Sequence, residues 1–312
     1  MARVRTKQEL TEAIRRDRRA ILVVNAHSRR GRVLYDQSRA RLAQAGFDRL
    51  EAHPVDQPGE LERVLTEAIG KAPDLLIAGG GDGTISTAAR MLAHRDIAMG
   101  LLPLGTTNNF ARTAGVPLAL DEAIATVAHG KVIDLDLGLA GDVPFTNHVG
   151  VGLSADVMLK APPPLKRVLG RYAYPLTALG LLARHRPLRV TVRADGRHHD
   201  FVSHQVYVAN GGFHAGRPIT GDANADDRLL IAYPVGGPTR RDLLRETARN
   251  AATGPRRTLR EEPFLATGEL WLETDRPARV EVDGEPAGHT PLRIGLAPNA
   301  LRVMAPRNAE DR

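Results

Sequence analysis

A glycine-rich segment that contains one acid is the part of the chain whose residue types could do chemistry most directly. It follows a short apolar run at residues 74–78 and reads Gly79, Gly80, Gly81, Asp82, Gly83 and Thr84. The apolar run predicts a buried strand, and the residues after Gly81 predict the start of a helix. Backbone N–H groups at a glycine turn and at a helix N-terminus bind phosphate. Asp82 would repel a bare phosphate, so it favours a magnesium ion or a cationic pocket there, and the segment indicates nucleotide chemistry.

Two other glycine turns follow predicted strands. Residues 19–25 form an apolar run, and Ser28, Arg29, Arg30 and Gly31 come after it as a basic turn and a second candidate phosphate loop. Residues 97–104 form another strand that leads into a polar glycine turn at 105–112, which runs into a helix. Three strand ends therefore carry polar glycine turns.

The elements between these turns alternate in type. Because the first eighty residues read β, α, β, α, β, we expect a parallel sheet with covering helices, whose ligands lie at the carboxyl ends of the strands. Asn25 and Gly79 would both emerge at that edge. The intervening predictions are helices at 36–45, 58–70 and 119–129, a weak strand at 46–53 and a strand at 131–140.

After about residue 137 the pattern becomes one of β-alternation broken by glycine and proline turns. It predicts a mostly antiparallel β domain. A basic amphipathic stretch at 166–186 interrupts it, which is either a helix that covers the sheet or a membrane-facing surface. The alternating runs lie at 188–195, 201–209, 229–235, 269–274 and 278–283.

Composition restricts the protein class. A chain of 312 residues with 42% hydrophobic residues is long enough for two domains, and the absence of cysteine excludes disulfides, thiolate metal sites and a cysteine nucleophile. The formal charge of +7 favours anionic partners, while 4% aromatic residues disfavour nucleic acid. We find neither a signal-like segment nor an apolar run of spanning length, so a cytoplasmic protein is expected.

With these motifs in place, the chain resembles the diacylglycerol kinase catalytic-domain family, in particular the soluble bacterial lipid kinases that are related to sphingosine kinases. The matching segments run in the family's order along nearly the whole chain. They are residues 25–31 (NAHSRRG), 79–84, 103–112 (PLGTTNNFAR), 145–157 (FTNHVGVGLSADV), 169–174 (LGRYAY), 208–212 (VANGG), 222–227 and 283–285 (DGE).

The resemblance implies an N-terminal α/β nucleotide-binding domain, similar to those of phosphofructokinases and NAD kinases, and an all-β C-terminal sandwich domain. It implies that the active site lies in the cleft between them and that the strands at about 299–305 return to the first domain. The expected domains are therefore residues 1–137 with 299–312, which bind ATP, and residues 138–298, which bind the lipid.

The resemblance also implies roles for individual residues. Glu285 would accept the proton of the acceptor hydroxyl, with Asp283 orienting it or the metal, and Asp82 would serve the magnesium and phosphate network as a catalytic residue. Asp227, with backbone groups of Asn224 and Leu229, matches a structural magnesium site. The expected ATP contacts are Asn25, Ser28, Gly31, Gly79, Gly80, Gly81, Asp82, Gly83, Thr84, Ile85, Ser86 and Thr106.

Four positions depart from the family's pattern. Asn109 and Ser154 stand where the family carries aspartates, Ala26 replaces a proline, and Arg228 replaces the glycine beside the metal site. Taken alone, Asp283-Gly284 is also a strong hairpin signal. The eleven histidines show no HxxxH or HExxH spacing, so structural roles are expected for them.

The resulting expectation is a kinase that uses ATP and Mg²⁺ to phosphorylate a lipid hydroxyl, with diacylglycerol as acceptor and phosphatidic acid as product. An NAD kinase-like enzyme and a non-catalytic nucleotide- or lipid-binding paralogue are the alternatives. The expected partners are a lipid substrate at a membrane surface, anionic lipid and a second copy of the chain, with no nucleic acid. The expected location is peripheral, at the inner face of the membrane.

Overall fold

The computed structural model describes residues 4–57, 59–160, 185–211, 213–214, 217–218, 228–245 and 265–310. These residues form two compact units. Those up to Leu137 and from Ala297 onward form one unit, and those between Gly138 and Leu296 form the other.

The first unit is built on a parallel sheet in the order β2, β1, β3, β4. Every residue of β3 and β4 is buried, as are the five central residues of β1, because helices cover the sheet. The last strand of the chain joins this sheet beside β4, where Val303 pairs with Met99. The strands are β1 (Arg19–Asn25), β2 (Arg49–Val55), β3 (Leu75–Gly80) and β4 (Ala98–Pro103).

Six helices are described in this unit, and those expected from the apolar spacing are confirmed. The sequence pattern did not predict the first one, which begins with a capping box between Thr6 and Glu9 and buries Leu10 and Ile14. The helices are α1 (Lys7–Asp17), α2 (Arg29–Gln44), α3 (Leu61–Gly70), α4 (Asp82–Leu92), α5 (Asn109–Thr113) and α6 (Leu120–His129).

An ionic network ties the N-terminal segment to the end of the chain within this unit. Asp96 accepts hydrogen bonds from the guanidinium groups of Arg5 and Arg302, and Arg5 also pairs with Asp74. Arg302 is mostly buried, so these charges are less screened by salt than those of an exposed pair. The network holds the terminal strand against the edge of the sheet.

The second unit contains two antiparallel sheets. In the first, β15 pairs with β8 and with the N-terminal part of β18, and β8 pairs with β9. The second runs in the order β14, β13, β10, β7, β16, β17. Their bounds are β7 (His148–Gly152), β8 (Leu188–Ala194), β9 (Arg197–Ser203), β10 (Gln205–Asn210), β13 (Leu230–Val235), β14 (Leu265–Thr267), β15 (Leu270–Thr274), β16 (Arg279–Val282), β17 (Glu285–His289) and β18 (Leu292–Ala305).

Shorter elements complete the description. They are β5 (Lys131–Ala140), β6 (Val143–Phe145), α7 (Leu153–Lys160), and the two-residue strands β11 (Phe213–His214) and β12 (Arg217–Pro218). Of the basic stretch at 166–186, only residues 185 and 186 lie within the described residues. No helix among the described residues is long and apolar enough to cross a membrane.

One apolar core joins the two sheets of the second unit. Burial alternates along β8, whose Leu188, Val190 and Val192 point inward. They belong to a buried cluster with Val206 of the other sheet. Alternation of this kind lets one face of each sheet meet the other and leaves the opposite face polar. The expected fold class, an α/β domain with a parallel sheet followed by an antiparallel β-sandwich, is confirmed.

Candidate functional site

The carboxyl ends of β1, β3 and β4 lie side by side, because parallel pairing places Val24 opposite Gly79 and Gly80 opposite Pro103. The predicted loops at Asn25, Gly79 and Gly105 therefore share one edge of the sheet. The side-chain amide of Asn25 donates to Thr84 Oγ1 at 3.3 Å, which joins the first loop to the second.

The N-terminus of α4 opens at this edge. Gly81 is its N-cap residue, and no side chain among the described residues caps it. Gly83 is exposed, and a Cβ atom built on it would meet nothing within 4 Å. The first amides of the helix are therefore available to an anion, and the helix dipole favours negative charge there. This geometry suits a phosphate group.

Close approach explains the glycines around the helix start. A Cβ atom on Gly105 would lie 2.5 Å from the Cα of Gly81, and one on Gly80 would lie 2.6 Å from the Cβ of Thr84. Such distances leave no room for a side chain. The loops after β3 and β4 thus pack backbone against backbone, which keeps both strand ends open to a ligand.

Asp82 is half-buried and connects α4 to the loop after β4. Its Oδ1 accepts the backbone N–H of Asn109 at 2.7 Å, and its Oδ2 accepts the hydroxyl of Thr107 at 2.5 Å. A carboxylate has about four lone-pair positions, so these two bonds leave acceptor capacity for a cation. The sequence pattern did not assign a role to Thr107 or to the backbone of Asn109.

Asn108 shapes the same loop. Its backbone is left-handed, with φ of 49°, and its side chain accepts from the N–H of Gly105 at 3.0 Å and donates to the carbonyl oxygen of Gly105 at 3.0 Å. Asparagine tolerates this conformation because its side chain can bond to nearby backbone. A polar residue beside a glycine turn is the sequence signal that could have pointed to it.

The other expected ATP contacts fall into two groups. The side chains of Thr84, Ile85 and Ser86 are buried, so a ligand would meet the backbone of this turn rather than its side chains. Thr106 is exposed. The nucleotide contacts of these residues stay predictions.

The first loop differs from the expected basic turn. Arg29 and Arg30 are the first residues of α2, because the hydroxyl of Ser28 accepts the N–H of Gly31 at 2.9 Å and caps the helix. A Cβ atom on Gly31 would lie 2.8 Å from the carbonyl oxygen of Asn25. The segment is therefore a second helix N-terminus, already capped, with both arginine side chains exposed.

In the second unit, Asp283 and Gly284 form the two-residue turn between β16 and β17, with φ values of 50° and 88°. The Asp283 carboxylate accepts four hydrogen bonds. They come from the backbone N–H and hydroxyl of Thr146, and from the backbone N–H groups of Asn147 and His148, at 2.7 to 3.0 Å. Asp283 therefore ties the hairpin to the start of β7.

Glu285 begins β17, directly after this turn, and is exposed to solvent. Two residues before the turn, Glu281 is 4% exposed. Its Oε1 lies 3.1 Å from His148 Nε2, and its Oε2 accepts the N–H of Gly284 at 2.8 Å. The sequence pattern had assigned no chemistry to Glu281 or His148. Glu281 lies between the core residues Val280 and Val282 on the opposite face of β16, so the alternation of the run 278–283 gave no signal for its burial.

A tyrosine packs against this pair, and a second tyrosine packs against the first. Tyr207 packs edge-on against the His148 ring at 5.4 Å, and Tyr233 lies 5.7 Å from Tyr207. Burial, followed by the charge of Glu281, raises the pKa of Tyr207 to about 12. Burial also raises the pKa of Tyr233 well above its ordinary value. Both phenols therefore remain neutral at physiological pH.

The expected metal ligands are only partly within the described residues. Asp227 and Asn224 lie outside them, and Leu229 is 40% exposed just before β13. No group of three or more acidic or histidine side chains is positioned to hold a metal among the described residues. Mg²⁺ bound with a nucleotide needs only one or two carboxylates, since phosphate oxygens and water complete its shell. Asp82, with its free lone pairs beside the α4 N-terminus, fits that requirement.

Comparison with known proteins agrees with both units. The model for the diacylglycerol kinase catalytic domain matches residues 19–140, and that for the YegS C-terminal NAD kinase beta sandwich-like domain matches residues 147–305. A Pseudomonas fluorescens protein named "Probable lipid kinase YegS-like" is 31% identical over 298 residues, which cover 94% of this chain and 97% of that protein. The chain belongs to the YegS-like lipid kinase family. The family expectation is therefore confirmed, and a kinase family implies the use of ATP.

Other relatives extend this picture. A Stenotrophomonas maltophilia protein of the same name is 31% identical over 275 residues, covering 82% of this YegS-like chain and 87% of that protein. A crystal structure of a diacylglycerol kinase from Bacillus anthracis superposes with a TM-score of 0.72 at 24% identity, covering 92% of this chain and 97% of that one. At that identity the likeness concerns the fold alone.

Proposed function

We propose that this YegS-like chain transfers the γ-phosphoryl group of ATP to the hydroxyl of diacylglycerol, giving phosphatidic acid and ADP. The nucleotide part of this proposal rests on the N-terminus of α4. No described side chain caps this helix end, and it lies between the glycine turns at three strand ends. The lipid half rests on the family and on the names of the relatives.

In this proposal the first unit holds the nucleotide. The backbone amides of residues 81–84 bind phosphate oxygens, and Asp82 would hold Mg²⁺ through its remaining lone pairs. When bound, the ion neutralises charge on the phosphates. The hydrogen bonds from Thr107 and Asn109 fix the Asp82 carboxylate against the loop after β4.

The second unit supplies the acid–base chemistry. A bond forms between the lipid hydroxyl oxygen and the γ-phosphorus while the bond to the β–γ bridging oxygen breaks, and the hydroxyl proton passes to Glu285. Glu285 is exposed and therefore accessible to a substrate. Asp283 holds the turn that presents it, since its own oxygens accept four hydrogen bonds.

A panel assay tests the acceptor. The full chain is incubated with Mg-ATP and, separately, diacylglycerol, monoacylglycerol, ceramide, sphingosine, phosphatidylglycerol and NAD. We expect the largest kcat/KM with diacylglycerol. Turnover of NAD alone would favour an NAD kinase-like enzyme, and ATP binding without any turnover would favour a non-catalytic paralogue.

The proposed partners are the lipid substrate at a membrane surface and anionic lipid, which places the protein peripherally at the membrane face. Arg186 and Arg189 are exposed, but Lys166, Arg167, Arg171 and Arg184 of the same basic stretch lie outside the described residues. Arg186, Arg276 and Arg279 line a cavity of about 620 Å³ in the second unit, with Asp156 as its acidic member. An excess of guanidinium groups around a cavity favours anionic headgroups. The homodimer stays a prediction.

A further inference from the structure

A buried carboxylate lies beside the hairpin that carries Glu285. We infer that Glu281 is a positioning residue for phosphoryl transfer, because it connects the imidazole of His148 to the turn that presents Glu285; this role rests on the proposed function. Neither the family pattern nor the sequence motifs assign a role to Glu281.

Burial is the first observation. Glu281 is 4% exposed, whereas Glu285 on the same hairpin is exposed. An ionised carboxylate loses its hydration when it is buried, and it is retained inside a protein when specific partners replace that water. Both oxygens of Glu281 have such partners, one being His148 Nε2 at 3.1 Å and the other the N–H of Gly284 at 2.8 Å.

The partners themselves lie on two different elements. His148 begins β7, and Gly284 is the second residue of the turn before Glu285. Asp283 also joins this turn to β7, through the backbone N–H of His148. Asp283 thus fixes the backbone of His148, while Glu281 fixes its ring. Together they restrict the turn from which Glu285 extends.

Space for the Glu281 carboxylate comes from a glycine. A Cβ atom on Gly150 would overlap Glu281 Oε1 and would lie 2.7 Å from Ser154 Oγ. The hydroxyl of Ser154 on α7 and the carboxylate of Glu281 on β16 therefore approach the same point above β7. A carboxylate supplied from α7 could reach the place that Glu281 now occupies.

This convergence gives a rescue test with the full chain, Mg-ATP and diacylglycerol. Glu281→Gln should lower kcat by about 10- to 100-fold with little change in the KM for ATP, because it misplaces the acceptor side only. Glu281→Ala, which also empties this space, should lower kcat at least as much, and adding Ser154→Asp to Glu281→Ala should recover most of its loss. Adding Ser154→Asn, which has the same shape without the charge, should not.

Thermal unfolding of each variant separates positioning from folding. If Glu281→Gln unfolds, Glu281→Asp takes its place, because aspartate keeps the charge. Glu281→Asp should retain more activity than Glu281→Ala. Equal activity of the Ser154→Asp and Ser154→Asn double variants would overturn the role, as would an unchanged kcat in Glu281→Gln. A wild-type chain that phosphorylates no lipid would overturn the proposed function together with this role, so the two failures are distinguishable.

Discussion

Two aspartates in glycine turns, Asp82 in the first unit and Asp283 in the second, look alike in sequence but are used differently. Asp82 accepts two hydrogen bonds, whereas Asp283 accepts four, three of them from backbone N–H groups. Four donors occupy the lone-pair capacity of a carboxylate, and two do not. Asp283 is thus part of the architecture, while Asp82 retains the capacity to bind a cation.

The surrounding strands explain this difference. The turn at Asp82 follows a parallel strand, and at the carboxyl end of such a strand a helix start opens to a ligand. The turn at Asp283 joins antiparallel strands and must close back on itself. Glycine therefore admits a ligand in one turn and permits a tight reversal in the other.

The largest expected effect is at Asp82. Asp82→Asn should lower kcat by about 10⁴-fold or more, because loss of the carboxylate charge removes several kcal/mol of stabilisation at a metal-bound phosphate. The nearly equal shape of asparagine should leave the melting temperature within a few degrees. Asp121→Asn, at the start of α6, is the matched control and should keep wild-type turnover. Near wild-type kcat in Asp82→Asn would remove the distinction between the two aspartates.

Next in size is the exposed acid after the second turn. Glu285→Gln should lower kcat by roughly 10²–10⁴, the usual contribution of a positioned general base. ATP affinity should change little, since proton removal matters only in the transition state. Steady-state kinetics with saturating diacylglycerol measure both quantities. A tenfold loss or less would take the base role away from Glu285.

Asp283→Asn tests the structural role of the second aspartate in this comparison. An amide NH₂ would face backbone donors, so we expect unfolding to become easier by about 1–3 kcal/mol, the cost of unsatisfied buried polar groups. Denaturant unfolding measures this loss, and kcat of the folded fraction should fall less than in Glu285→Gln. If Asp283→Asn instead keeps its stability and loses turnover while Glu285→Gln does not, the base is Asp283.

Membrane association should differ between the units. Arg186→Gln with Arg189→Gln should weaken binding to phosphatidylglycerol vesicles by tens-fold, because each basic group near an anionic surface contributes about 1 kcal/mol. The same pair of changes at Arg39 and Arg49, which are exposed in the first unit, is the control. Wild-type binding should weaken between low and high salt in a vesicle pull-down. Salt-independent partitioning would mean that apolar insertion dominates.

The smallest effect concerns acid stability of the second unit. Burial lowers the pKa of His204, whose Nδ1 lies 3.1 Å from His185 Nδ1, so the folded state favours the neutral ring. The stabilisation is fully present above about pH 6.5, the pKa of histidine in the unfolded chain. As pH falls below that value the unfolded chain binds the proton more readily, so the free energy of unfolding decreases by at most about 1.4 kcal/mol per pH unit. His204→Gln should make the free energy of unfolding, measured in urea, depend less on pH between pH 7 and 5. An unchanged slope would show that another group titrates.

Local residue patterns were sufficient to predict much of this protein. The apolar runs at 19–25 and 74–78, each followed by a polar glycine turn, predicted parallel strands and helix starts, and β1, β3 and α4 are there. Period-two alternation at 188–195 predicted a strand with one buried face. These signals are reliable because glycine turns, strand periodicity and helix starts depend on residues within a few positions of one another.

Only the tertiary structure determined the contacts between residues that are distant in the chain. Asp283 bonds to Thr146, which is 137 positions away, and Asp96 pairs with Arg302 across 206 positions. Glu281 and Ser154 meet above Gly150 only because β16 pairs with β7. Contacts between such distant side chains follow from strand pairing and from the space that a glycine leaves. A local residue pattern encodes neither the pairing nor that space. The sequence alone therefore marked Asp82 and Asp283, and the fold distinguished the carboxylate that keeps open acceptor positions from the one whose hydrogen bonds tie a hairpin to β7.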